Sequence, residues 1–482
     1  MPAPTVRPRH QRTPDPLGTQ ARSRPDLLTS SGPPEVRGDR EARTPSRSKG
    51  SRNPARMIAL AGLLAVVVSS CTGSPAPHET PSISVDPHVT TLARVEGGVG
   101  WPPAIVADPT SNRVYVAWMS FPNKTDSWVQ VAVSDDGGRT FGTPIRFGAK
   151  TEQMPLLAVT RDGTVFLAWT HWTPHRLLDP KSSYSNPAWL LLTRSDDAGK
   201  TWTKPVTVPA DRFSNETYFT SLAVSSDGSR VQLAWIDYAS IPGFGTGTDD
   251  RRQAGSMLAS ISADGGRTFG SPREIAHSSC VCCTPTGFFD GQRGGVAFRG
   301  WEKGGQTGDL RNPTVVMMEP DLTTWAPPVA VHDDDFRLKV CPHMGIGSAV
   351  DPSGRLYVEW WTGAQGRAGY WFATSMDGQA FSSPTRLAPL NADPHGNDLT
   401  VAIDGAGDAW MPGVLYPTKP DGSPGASQVH YWIVGSDGRP HDVPGTTADG
   451  QFPRIAASSN AVYMLWVDGD RLRLRRATVG RP

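Results

Sequence analysis

Four cysteines crowd two short segments of this sequence, Cys280-Val-Cys282-Cys283 and Cys341-Pro-His343-Met344. Thiols spaced this way support two chemistries. Outside the cytoplasm an even cysteine count favours disulfides. The pairings open to them are Cys280–Cys283 with Cys282–Cys341, or Cys283–Cys341 with a strained Cys280–Cys282; the neighbours Cys282 and Cys283 make a poor bridge. The rival is a soft metal. Cys341, His343 and Met344 put thiolate, imidazole and thioether within one tetrapeptide, a set suited to copper or zinc. Their spacing matches no metal motif, so disulfides are the leading expectation. No cofactor is expected, with copper or zinc at the Cys/His cluster as the alternative.

The compartment is written further upstream. Residues 57–68 (MIALAGLLAVVV) form an apolar run too short to span a bilayer as a helix, which takes ~20 residues. The run has the length of a signal-peptide core, with Arg52 and Arg56 before it. Val68-Ser69-Ser70-Cys71 follows and resembles the bacterial lipobox. That resemblance implies a lipid on Cys71 and an extracytoplasmic, membrane-anchored protein. Residues 1–56 carry 12 basic and 5 acidic residues and many prolines. They bury too little apolar surface to offset chain entropy, so a disordered head is expected, or a start downstream of Met1. The stretch 72–88, rich in Ser, Pro and Thr, reads as a tether.

The remaining chain holds 35 basic and 41 acidic residues. A mildly acidic body argues against nucleic acid, whose phosphates call for a clustered basic face. With 50 Gly and 45 Pro among 482 residues, many short strands and turns are expected rather than long helices.

Those strands repeat. Runs ending in tryptophan recur as VYVAW (Trp118), VFLAW (Trp169), VQLAW (Trp235), LYVEW (Trp360) and VYMLW (Trp466), with weaker copies at Trp301 and Trp410. Each follows a short apolar strand and a turn. Three turns then share one pattern: Ser134-Asp-Asp136-Gly-Gly138-Arg-Thr140-Phe141, Ser195-Asp-Asp197-Ala-Gly199-Lys-Thr201-Trp202 and Ser262-Ala-Asp264-Gly-Gly266-Arg-Thr268-Phe269. A shortened copy, Ser375-Met-Asp377-Gly-Gln-Ala-Phe381, lacks the threonine. In such a turn the aspartate folds back on nearby backbone N–H groups, and glycine takes an angle that other residues avoid. The units predict an all-β fold over residues 89–482: a single β-propeller of seven four-stranded blades, with six as the alternative. The last unit lacks an outer strand. Residues 89–95 (VTTLARV) can supply it and close the ring, leaving no free sheet edge. The tryptophans are then core.

The S-x-D-x-G-x-T-[FW] turns resemble the Asp box, or BNR repeat, of sialidase-like propellers. The resemblance covers most of residues 89–478 and rests on scaffold motifs. It implies a propeller with these turns at its rim, where they do no chemistry. It also implies what a family sialidase needs: three arginines gripping a carboxylate, a Tyr nucleophile with a Glu partner, and an Asp acid/base. The first arginine usually lies in an R-I-P motif, and Gly100-Trp-Pro-Pro103 stands there instead. Arg251, Arg252, Arg311, Arg367 and Arg454 match no family motif, and neither do Tyr218, Tyr370, Glu216 and Asp398.

A propeller of this kind binds ligands where its inner strands begin. Arg454, His343, His395, Asp398 and Arg311 are the candidates for that funnel. The leading expectation is recognition of a glycan, another small ligand or an extracytoplasmic protein by a monomer. The alternatives are an exo-glycosidase of sialidase type with a diverged site, and a metal or redox protein built on Cys280–Cys283, Cys341 and His343.

Overall fold

A strand buried on both faces needs a neighbour on each side of its sheet. The tryptophan runs meet that condition. Val114–Ser120, Val231–Asp237 and Leu356–Thr362 are buried at every residue. Trp118, Trp169, Trp235, Trp360 and Trp410 are at most 2 % exposed, so they fill cores and present no surface to a ligand.

The computed structural model describes residues 82–95, 101–121, 123, 126–148, 152–172, 187–208, 214–215, 219–237, 254–291, 293–304, 306–339, 343–389 and 399–480. The chain divides after residue 74, and all of these lie in the second unit. They form seven antiparallel blades, counted here from the first inner strand, Ala104–Ala107. The later inner strands are Glu152–Val159, Thr220–Val224, Thr286–Phe289, Ile346–Val350, Ala402–Ile403 and Gln451–Ala457. In each blade the tryptophan strand pairs with the inner strand.

Seven separate hydrophobic clusters fill the seven spaces between adjacent blades. Leu167 and Trp169 of blade 2 meet Ala117 and Val131 of blade 1. The corresponding seam between blades 7 and 1 joins Tyr463 and Leu474 to Ile105 and Val116. One core per seam, with none missing, makes a closed ring.

Closure is by the N-terminal strand. Ser82–Arg94 pairs with Arg471–Gly480 as the outer strand of blade 7, with Ser82 opposite Gly480 and Arg94 opposite Arg471. The strand begins seven residues before the expected one, inside the stretch read as tether. Ile83, Val85 and Val89 pack on the core between blades 6 and 7. Their alternation with Ser82, Ser84 and Asp86 is a strand pattern of period two. The expected disordered head, signal peptide and lipid-bearing Cys71 lie outside the described residues.

The three repeat turns fold alike. In the first, Ser134 Oγ donates to Asp136 Oδ1 at 2.8 Å and accepts from the Gly138 N–H at 2.8 Å. Asp136 accepts from the Thr140 N–H at 2.9 Å and from its hydroxyl at 2.6 Å. The same bonds recur around Ser195, Asp197, Gly199 and Thr201, and around Ser262, Asp264, Gly266 and Thr268. Gly138 has φ +81°, and a Cβ there would stand 2.2 Å from Leu474 in the preceding blade. Phe141, Trp202 and Phe269 each pack on the core shared with the preceding blade. The turn is thus a staple between blades as well as a hairpin.

Blade 4 carries a version that the pattern misses. Asp321 accepts from the N–H groups of Thr323 and Thr324, each at 2.8 Å, and from the Thr324 hydroxyl at 2.6 Å. Leu322 (φ +61°) stands where glycine is usual. The Asp-x-x-Thr-Trp spacing of Asp321, Thr324 and Trp325 was its only sequence signal.

Candidate functional site

The inner strands of blades 1, 2 and 7 enter the hub through similar dipeptides, Trp101-Pro102, Met154-Pro155 and Phe452-Pro453. Met154 and Phe452 have φ of +53° and +51°, angles that cost a non-glycine residue ~1–3 kcal/mol. Both sit at shifts in strand register, between Gln153 and Leu156 and between Gln451 and Arg454. A shift of this kind re-aims the side chains beyond it. Strained backbone concentrated at one end of the inner strands singles this end out as the candidate site.

A cavity of about 160 Å³ opens there, on the axis of the ring. Six blades contribute to its wall, with Trp101, Thr220, Ser221, Thr284, Thr400 and Arg454 as its aromatic, hydroxyl and cationic members. The hydroxyls of Thr220, Ser221, Thr284 and Thr400 are buried and meet no protein partner. Buried polar groups are nearly always hydrogen-bonded, so four such hydroxyls in one wall call for water or ligand. Arg454 is 7 % exposed, and its Nε donates to Pro103 O at 3.0 Å. That bond ties blade 7 to blade 1 beside the cavity. Trp101 stands edge-on to Phe219 at 6.3 Å.

Of the expected funnel residues, Arg454 lines the cavity. Arg311 does not: it is 2 % exposed and packed behind the hub, over Trp301. Its place at the end of the two-residue strand Asp309–Leu310, outside the blade sheets, turns it inward. His343 is exposed, with its ring 6.4 Å from Phe219. Met344 is fully buried in the core between blades 5 and 6, apart from the cysteines. His395, Asp398 and Cys341 lie outside the described residues, as do Glu216 and Tyr218. Tyr370 is a core residue whose hydroxyl donates to Val414 O. Three of the four hydroxyls, those of Thr220, Ser221 and Thr284, lie at inner-strand starts, where a funnel site is expected, but Ser and Thr are too common there to be singled out as residue types.

Cys280, Cys282 and Cys283 form the turn between the outer strand of blade 3, Arg273–Ser279, and the inner strand of blade 4. The Cys280 N–H donates to Arg299 O at 2.8 Å, which fixes the turn against blade 4. The Cys280 sulfur lies 3.0 Å from that of Cys283 and 3.6 Å from that of Cys282. All three sulfurs fall within 4.8 Å of one another. Burial alone would push the Cys280 thiol up. Hydrogen bonds from Cys282 and Cys283, with the charge of Arg311, outweigh it and bring Cys280 well below the usual thiol range. Cys283 moves the other way, raised by burial and by its bond to Cys280. Of the expected disulfide pairs, Cys280–Cys283 and Cys280–Cys282 lie in this cluster, and the others involve Cys341.

No family model matches the sequence, and no curated protein matches it either. Solved structures do. A protein of unknown function from Dyadobacter fermentans is 14 % identical, with 83 % of this chain and 100 % of that one covered and a TM-score of 0.47. A polysaccharide lyase acting on ulvan is 11 % identical over 82 % and 96 % of the two chains, at 0.46. A Hadza microbial sialidase is 14 % identical over 76 % of each, at 0.43. The blade count rests on the strand pairing described above.

Proposed function

We propose that this protein is a lipid-anchored, extracytoplasmic Asp-box propeller that recognises the end of a glycan at its central funnel. The observation that carries the reading is the set of four buried, unpartnered hydroxyls on three blades around one cavity. A sugar offers several hydroxyls that both donate and accept, and it can replace the waters those groups otherwise hold. Trp101 supplies an aromatic face and Arg454 a positive charge, a combination suited to an acidic terminal sugar. At about 160 Å³ the cavity is below the ~300–1,000 Å³ of sites for drug-sized ligands, so a chain end fits better than an internal segment.

The test is a glycan array probed with the purified chain, followed by calorimetry on the best ligand. Thr220→Val and Thr400→Val should each weaken binding roughly 5- to 100-fold, the ~1–3 kcal/mol of a buried polar group left unpaired, with little change in melting temperature. Undiminished binding by both variants would place the ligand elsewhere. Release of a free sugar by the wild-type chain would replace recognition with hydrolysis. For the anchor, Cys71→Ser should move the protein from the membrane fraction to the medium; retention in the membrane would sink that part of the reading.

A further inference from the structure

The cysteine turn is a second site, independent of glycan recognition. We propose that Cys280, Cys282 and Cys283 together hold one copper(I) ion as a three-sulfur site.

Convergence is the first support. Sulfur separations of 3.0 and 3.6 Å, with all three atoms inside 4.8 Å, bracket what a metal requires. Bonds of ~2.3 Å to sulfur place three ligands in a plane roughly 4 Å apart. Small side-chain rotations reach that spacing without moving the turn.

The surroundings are the second. The three cysteines are 1–3 % exposed within a cluster that includes Ile236, Phe298 and Phe219. Hard cations ask for oxygen ligands, and structural zinc for four donors. Among the described residues the donors are three thiols in an apolar wall, a set that suits a soft, low-coordinate ion. Thr284, the next residue after Cys283, lines the central cavity, so the funnel offers a way in.

Charge is the third. Arg299 is fully buried, and its Nε, NH1 and NH2 donate to the backbone oxygens of Met344, Arg311 and Trp361, with no carboxylate among them. Arg311 is also buried and pairs with Asp309 at 3.6 Å, while its Nε meets no partner. A buried cation without a close counter-ion is costly. Loading Cu(I) onto three thiols releases three protons and leaves a complex of net charge 2−. Each sulfur keeps its electrons as a metal bond, and nothing is oxidised or reduced. The charges of Arg311 and Arg299 reach Cys280 and Cys283 respectively, and the complex supplies a negative charge that Arg299 does not find among its hydrogen-bond partners.

The test uses the full chain, reduced and kept free of oxygen, titrated with Cu(I) as its acetonitrile complex against a colorimetric chelator. One Cu(I) should be retained per chain, with proton release and a near-ultraviolet sulfur-to-copper band. X-ray absorption on the loaded wild-type chain should show a shell of three sulfurs, a readout that needs no variant to fold. Cys282→Ser should lower affinity by more than the ~10- to 100-fold that outer-shell changes bring, while Cys341→Ser keeps the stoichiometry. The proposal is overturned if the reduced chain retains no copper, or if Cys282→Ser binds as tightly as wild type. It is equally overturned if zinc is preferred and Cys341→Ser abolishes its binding, because the site would then have a fourth ligand.

Discussion

At the rim of blades 1 to 3, three serines, three aspartates and three threonines make the same bonds at nearly the same lengths. At the hub, the contributing blades differ: Trp101 comes from the first, Thr220 and Ser221 from the third, Thr284 from the fourth, Arg454 from the seventh. The rim's polar groups are satisfied within their own turns, whereas four hydroxyls at the hub, those of Thr220, Ser221, Thr284 and Thr400, are left without protein partners. Repetition here belongs to the scaffold, and chemistry belongs to the positions where the repeat is abandoned.

The contrast is sharpest under substitution. Gly138→Val forces a branched side chain into φ +81° and against Leu474. We expect a loss of about 2–4 kcal/mol, from backbone strain and overpacking together, read as a lower midpoint in urea. A midpoint unchanged by Gly138→Val would break the idea that the rim turns staple the blades. At the hub, Thr220→Val should leave that midpoint in place, because it removes a hydroxyl that has no partner to lose.

Ser134→Ala comes next. Its oxygen serves both Asp136 and the Gly138 N–H in a buried position, so about 1–2 kcal/mol is expected. Ser195→Ala and Ser262→Ala should match it, and a wide spread among the three would show that the repeats are not equivalent.

A smaller effect concerns acid. Asp136, Asp197 and Asp264 are each lowered to about 2. For Asp136 and Asp264, burial opposes the shift, and hydrogen bonds from Thr140 and Thr268 outweigh it; for Asp197 those from Thr201 lead. A folded value below the unfolded one means that the stabilisation is present above about pH 4 and lost as pH falls toward 2. Stability measured from pH 5 to 2 should decline in that window, and less steeply in Asp264→Asn. An identical slope in that variant would assign the decline to other groups.

The smallest expected effect has the opposite sign. Asp408 is raised to about 6, first by burial and then by Asp404 and Asp437. Folding is favoured while it holds its proton, and that advantage fades as pH rises from about 4 through 6. Asp408→Asn should therefore raise the melting temperature slightly at pH 7.5 and not at pH 4. A rise at both values would point to packing rather than charge.

The seven blades were legible because each tryptophan run states its own burial, and the closing strand because blade 7 lacked a partner. The blade 4 turn escaped because Leu322 adopts a conformation that the pattern assigns to glycine. The site was less legible for a related reason. Met154 and Phe452 announce nothing as residue types, and only their φ angles show the strain they carry. Arg311 looked like a funnel arginine, since nothing in the sequence says that it packs on Trp301 outside the cavity wall. The cysteines were visible as a cluster, but Arg299, buried behind them, was not.

Chain order also sets an order in time. Strand Ser82–Arg94 is made first among the described strands, and its neighbour Arg471–Gly480 is made last. For nearly the whole of synthesis the first strand is an unpaired edge thirteen residues long, open to wrong partners. The circle waits for the last of the described strands, so a chain interrupted before Arg471 forfeits closure itself rather than one strand among many.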